Sequence, residues 1–226
     1  FNLDQIHKTE DLHLGYRVYN KVGYAAEAFG SDQDRFIING SFSDTLQYND
    51  DVLWRHKLNW EGMWNLDTER AEDVIVSYQT RYFRQQTSHR AFFAEFNAVY
   101  SKNLNTNRQV VLGGLSGTRG FDNRFQAGDR RMVLNLEERM YTDIHFLNLI
   151  RVGWAVFIDV GRAWEPGVED GLEDDYLADI GFGLRLASSK AEAGRIAHID
   201  FAFPLTNKDD PDVDSPTVAV NIKSRF

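Results

Sequence analysis

An all-β fold, a transmembrane antiparallel β-barrel of about ten strands (twelve at the upper count), is what this sequence predicts, and three observations predict it. Ten segments sort apolar and polar residues onto opposite faces with a period of two, the signature of strands. These segments are long, roughly twice the ~5–6 residues usual in soluble proteins. The connections between them alternate in length, as the outer loops and periplasmic turns of membrane barrels do.

The first segment, Leu12 to Tyr24, sets Leu14, Tyr16, Val18 and Val22 against His13, Arg17, Tyr19 and Lys21. The second, Arg35 to Leu46, sets Phe36, Ile38 and Phe42 against Asn39, Ser41 and Ser43. The third, Val52 to Trp64, sets Trp54, Leu58, Trp60 and Trp64 against Arg55, Lys57, Asn59 and Glu61. The fourth, Val74 to Phe83, and the fifth, Ala91 to Tyr100, continue the pattern with Val76 and Tyr78 against Ser77 and Gln79, then Phe92 and Phe96 against Glu95 and Asn97. A long segment, 101–131, interrupts it. The sixth strand is Met132 to Tyr141. The seventh, Ile150 to Ala163, opposes Trp154, Val156 and Ile158 to Ala155 and Asp159. The eighth, Tyr176 to Leu186, opposes Ile180, Phe182 and Leu184 to Asp179 and Arg185. The ninth, Ile196 to Phe203, and the tenth, Thr217 to Phe226, close the series with Ile199 and Phe201 against His198 and Asp200, then Val218 and Val220 against Asn221.

The odd connections, 25–34, 65–73, 101–131, 164–175 and 204–216, are mostly long, acidic and glycine-containing. The even ones, 47–51, 84–90, 142–149 and 187–195, are mostly shorter. That asymmetry places both termini in the periplasm of a bacterial outer-membrane protein. A soluble β-sandwich or lipocalin-like barrel shares the alternation but turns its apolar face inward. Strand length, three tryptophans on the apolar face and a terminal Phe226 favour lipid, with Trp54, Trp60, Phe92, Phe182 and Phe201 expected to face it.

Composition excludes several functions. No run approaches the ~18 apolar residues of a membrane helix. A net charge of −9 argues against nucleic acid. With no Cys, and six His at no ligand spacing, neither a disulfide framework nor a metal site is expected. No nucleophile–base pair stands out, so no enzyme activity and no cofactor are expected. Residues 1–11 read as a short periplasmic segment and 12–226 as the barrel, with no room for a soluble domain. The chain begins at Phe1 with no basic-apolar leader, as a mature or cut form would.

The long connection holds Gly113-Gly114-Leu115-Ser116-Gly117-Thr118-Arg119-Gly120-Phe121. Glycine at this density permits tight, left-handed backbone around one Arg and one Phe. The run resembles the loop signature of the BamA-type superfamily, outer-membrane barrels that insert or export proteins. Five strands follow it, as in that family. Leu136-Glu137 resembles the family's Leu-Glu-aromatic stretch, and Phe157-Ile158-Asp159-Val160-Gly161 its aromatic-x-Asp-x-Gly stretch. The resemblance covers residues 90–226. It implies that the loop folds into the lumen, where Gly117, Thr118, Arg119, Gly120 and Phe121 form the motif. Arg119 then meets Glu137 and Asp159 on the wall. Arg suits that role because its planar fork bonds two carboxylate oxygens at once.

The sequence departs from the family at Thr118, where Val is common, and at Glu138, where an aromatic is usual. It also has Ser224 in place of an aromatic near the end, beside a Phe226 expected to serve as the C-terminal assembly signal. Only eleven residues precede the first strand, so a short member without the periplasmic POTRA domains is expected. The resemblance implies insertion or translocation of proteins at the outer membrane. The competing expectations are a structural or partner-binding barrel, and a small pore gated by the loop. Expected partners are outer-membrane lipids and lipopolysaccharide, then client or periplasmic proteins, or a second copy in a homodimer; the acidic loops read as solvated surface, with divalent-cation bridging to lipopolysaccharide phosphates as the alternative.

Overall fold

A computed structural model describes residues 13–168, 175–188 and 195–224. The predicted strand ends at Leu12 and Phe226, part of the acidic loop before Asp175, and the terminal Phe signal lie outside these residues. Ten strands form one antiparallel sheet in chain order: β1 (Gly15–Ala25), β2 (Arg35–Asn49), β3 (Val52–Asn65), β4 (Arg70–Thr87), β5 (Arg90–Lys102), β8 (Arg130–Phe146), β9 (Ile150–Trp164), β10 (Leu177–Ser188), β11 (Arg195–Pro204) and β12 (Thr217–Ser224). Two short strands inside the long connection, β6 (Val110–Leu112) and β7 (Gln126–Gly128), make a separate ribbon. β1 and β12 are the edges of the large sheet, and no ladder joins them among the described residues. No helix among those residues is long and apolar enough to cross a membrane.

Several strands outrun their sequence patterns, and at β4 a bulge hides the alternation. β3 and β4 slip register between Glu61 and Met63, and β4 then starts at Arg70 rather than Val74. β8 was expected to stop at Tyr141, yet runs to Phe146 through an irregularity between Tyr141 and His145. The extra residues return Ile144 and Phe146 to the face of Met140, and the strand reverses at Leu147 and Asn148, both with positive φ. Two positive-φ residues in succession are what a tight hairpin twisted like its strands requires.

The faces of the sheet are inverted relative to a soluble protein. The apolar face is the outer one: Val18, Val22, Val156, Phe182 and Val220 are exposed, Val22 by 73% and Val220 by 66%. On β8 to β11 the charged face is the buried one. Glu137, Arg139, Asp159, Asp179, Arg185 and Asp200 are each no more than 4% exposed. Trp54, Trp60, Phe92 and Phe201 are half-buried among outer-face neighbours, and none belongs to the core. Trp54 packs edge-on to Tyr82 and donates its indole N–H to Thr80.

The sheet curls, so that Gln79 on β4 and Asn221 on β12 line one cavity. Its interior is filled in three layers. Near the short turns lies an apolar cluster of Leu53, Phe83, Ala91, Tyr141, Ala187 and Ile196. Beneath the long connection lies a second, of Leu112, Phe121, Val133, Ala163 and Leu177, with Phe125 and Val213 against it. Charged side chains of β8 to β11 occupy the level between. At the rim, Arg35 bonds Asp32 and Glu72, and its guanidinium holds the Asp32 carboxyl below the usual carboxylate range.

Candidate functional site: the interior arginine loop

The long connection reaches the site in two steps. The β6–β7 ribbon anchors first: Gln126 donates to the carbonyl of Asp175 and accepts from the N–H of Ala163. The segment between its strands then folds against the buried face of β8 to β11. Gly114 N–H donates to Thr118 O, closing a tight loop, and Phe121 enters the upper apolar cluster, 1% exposed and packed on Phe125.

Two glycines make this approach sterically feasible. Gly117 has φ 135°, and a Cβ there would sit 2.6 Å from a Val133 methyl. Side chains rarely adopt such a φ. Gly120 has ordinary φ, but a Cβ on it would lie 2.6 Å from the Cβ of Asp179. Its lack of a side chain lets the loop touch the β10 wall. Thr217 at the start of β12 donates its hydroxyl to Gly120 O and ties the loop to the last strand. Thr118 is fully buried, and its hydroxyl meets no partner among the described residues.

Arg119 lies between three carboxylates. Its Nε and Nη2 grip Asp159 in a fork at 2.7 and 2.9 Å, and its Nη1 reaches Asp200 at 3.1 Å and Glu137 at 3.3 Å. The guanidinium lies over the Phe157 ring, 3.3 Å from its centroid. Alternation explains the geometry: Phe157 and Asp159 are two apart on β9 and point the same way. Glu137 is opposite Phe157 across the β8–β9 ladder, while Asp159 is opposite Asn135. Asn135 donates to both Asp159 (2.7 Å) and Gly117 O (2.6 Å), joining wall and loop.

Two further arginines complete the layer. Arg139 donates to Glu137 at 2.8 Å and covers the Phe93 ring. Arg185 bridges Glu137 at 3.1 Å and Asp200 at 2.5 Å. Asp179 stands apart. It is opposite Asp159 across the β9–β10 ladder and fully buried; no side-chain donor bonds its carboxylate among the described residues, and Gly120 of the loop lies against it. The layer therefore sets Arg119, Arg139 and Arg185 against Glu137, Asp159, Asp179 and Asp200.

Both carboxylates expected beside Arg119 are within its reach. Asp200, Arg139, Arg185, Asn135 and the Phe157 ring are additions that the sequence reading did not assign. Their signal was present as inner-face parity, but which of them meet depends on ladder register. Beside the layer lies a cavity of about 380 Å³, lined by Gln79 and Glu95 on one wall, Glu137 and Asp200 on another, and Leu115 and Arg119 from the loop. Among the described residues no group of His, Asp or Glu is arranged to hold a metal ion. Comparison of the chain with family models and with curated proteins finds no match.

Proposed function

We propose that the chain is a BamA-type barrel of a bacterial outer membrane, with both termini periplasmic, that acts in inserting or translocating proteins there. The observation that carries the membrane reading is the inverted sheet: contiguous apolar rings and methyls outside, ions and amides inside. A soluble monomer rarely exposes apolar patches larger than a few hundred Å². In hydrocarbon that surface is solvated, and β2 to β5 and β8 to β10, at 12–18 residues, exceed the ~9–11 residues a tilted strand needs to cross.

The family reading is supported by the loop. A glycine-bracketed Arg inside the curl of the sheet, forked onto Asp159 and touching Glu137, is the arrangement the motif implies. The insertion reading is supported by the edges. A strand edge cannot stay unpaired in lipid, so the edges of β1 and β12 must pair with each other or with another chain. β1 and β12 are the edge strands, and no ladder joins them among the described residues, so both edges offer backbone groups to a partner strand. Such edges let an incoming strand compete for backbone partners.

The test is a liposome assay with the purified chain and an unfolded barrel client. Client folding above that of empty liposomes is the expected result, and a periplasmic partner should raise it. Solute flux without client folding would replace insertion with a pore. Neither activity, with or without partner, would leave a structural or partner-binding barrel.

A further inference from the structure

Asp159 and Asp179 occupy opposite positions of the β9–β10 ladder, and both are fully buried. Opposed side chains lie ~4.5–5.5 Å apart at Cβ, and the two carboxyl groups are within hydrogen-bond reach of each other. Their surroundings differ. Asp159 receives the Arg119 fork and the Asn135 amide. Asp179 receives no side-chain donor among the described residues, and the backbone N–H of Gly120 faces it. Across the β10–β11 ladder it is opposite Pro204, which has no N–H to offer.

The other charged and titratable groups at this buried level are Arg119 from the loop, Glu137 and Arg139 from β8, Arg185 from β10, and His198 and Asp200 from β11. The three nitrogens of the Arg119 guanidinium bond Asp159, Asp200 and Glu137. Arg185 joins Glu137 to Asp200, and Arg139 bonds Glu137. Two ionised carboxylates in contact repel, and burial takes away the solvent that would screen them. A single proton removes the conflict. Protonated, a carboxyl becomes a donor, and its O–H to a facing carboxylate makes a short, charge-assisted bond.

We propose that Asp179 is a positioning residue that carries a proton: its carboxylic acid donates to Asp159, fixes that carboxylate for the Arg119 fork, and so keeps the glycine loop docked. Asp159 is the partner that stays ionised, because Arg119 and Asn135 stabilise its negative charge. The loop is thereby tied to a titration. In the unfolded chain both carboxyls ionise above about pH 4, whereas the folded chain keeps one proton between them. The folded state binds the extra proton, so stability falls as pH rises, until the pair gives the proton up. An ionised Asp179 then needs water, and Gly120, packed against it, must lift to admit it. The device rests on the geometry of the buried layer and not on insertion activity, so client folding can fail while it stands.

The experiment uses the full chain folded in detergent micelles. Infrared spectra near neutral pH should show the carbonyl stretch of a protonated carboxyl in the parent and lack it in Asp179→Asn. Urea unfolding from pH ~6 to ~9 gives a second readout: the folding equilibrium constant of the parent should fall about tenfold per pH unit relative to that of Asp179→Asn, the effect of one proton. Asn keeps the shape and a donor but cannot ionise, so it should match the parent at the acid end and exceed it at the alkaline end. Asp179→Ala, which loses the donor, should be weaker than Asp179→Asn throughout. No carboxyl band in the parent, a band that survives in Asp179→Asn, or equal pH slopes for the two would overturn the proposal. So would a parent that gains stability over Asp179→Asn as pH rises, since Asp179 would then act as an anion.

Discussion

Replacing Arg119 by Ala removes four contacts of 2.7–3.3 Å to three carboxylates, but the three are not left alike. Glu137 keeps Arg139 and Arg185, and Asp200 keeps Arg185. Asp159, fully buried, keeps the amide of Asn135 and a long, 3.4 Å bond from the backbone N–H of residue 119, but no cation. One carboxylate is therefore stranded, and breaking a buried pair from one side costs ~3–5 kcal/mol. The origin of that cost can be checked. In the Arg119→Ala background, Asp159→Asn removes the stranded charge and should recover ~1–3 kcal/mol, the desolvation penalty of an unmade partner. Arg119→Lys keeps the charge but loses the fork, and should fall between parent and Ala. The assay is urea unfolding in detergent micelles, read by the mobility difference between folded and unfolded barrel on cold electrophoresis. A midpoint for Arg119→Ala within ~0.5 kcal/mol of the parent, the scatter of ordinary surface substitutions, would refute the anchor. So would an Asp159→Asn change that worsens the Ala variant instead of rescuing it.

Three further substitutions test other parts of the layer and the wall. Gly120→Ala places a Cβ 2.6 Å from that of Asp179 and should lift the loop, so that trypsin cuts after Arg119 or Arg124 where the parent resists; identical digestion would show that the loop is not held there. Asp179→Asn keeps shape and removes a carboxylate that faces Asp159 with no side-chain donor among the described residues. Heat resistance should be equal or higher, and a loss above ~1 kcal/mol would mean that its charge is needed. Ile158→Arg on the exposed face should cost ~2–4 kcal/mol in lipid vesicles. An unchanged unfolding midpoint there would contradict the membrane reading.

Which parts of this molecule could be read from its sequence follows from what alternation encodes. Parity alone put Glu137, Asp159, Asp200 and Arg185 on one face and Trp154, Phe182 and Val220 on the other, because a side-chain period of two needs no tertiary information. Parity could not show that Arg185 sits between Glu137 and Asp200, or that Asp179 is opposite Asp159. Those meetings depend on how β9, β10 and β11 are registered, and register is set by turns whose geometry the sequence does not spell out. The same blindness shortened β4: at Glu61–Met63 the bulge shifts the phase, and an unbroken period of two cannot follow. β8 keeps its parity from Met140 to Phe146, but its pairing is interrupted between Tyr141 and His145. The loop's place came from the motif's resemblance and not from alternation; its glycines permit the close approaches of Gly120 to Asp179 and Gly117 to Val133.

The filled interior bears on the pore reading, and a last prediction follows from it. Phe83 and Leu53 are fully buried near the short turns, although both project from the same face as the ionic layer. They form an apolar floor with Tyr141 and Ile196, and an apolar constriction stops ions by dewetting even where the gap is physically passable. Above it, the Arg119 layer and the Phe121 cluster fill the side next to β8 to β11, leaving the 380 Å³ cavity beside the loop. The parent chain in a planar bilayer should therefore show no steady conductance. Phe83→Ala removes the largest plate of the floor at a cost of ~3–5 kcal/mol, so its folding must first be verified by electrophoretic mobility. In the folded variant, discrete conductance steps are expected, because water can then reach the charged wall from below. Steady conductance in the parent would mean that the floor does not seal. A folded, silent Phe83→Ala would place the seal higher, at the Arg119 layer, where Arg119→Ala should then open it.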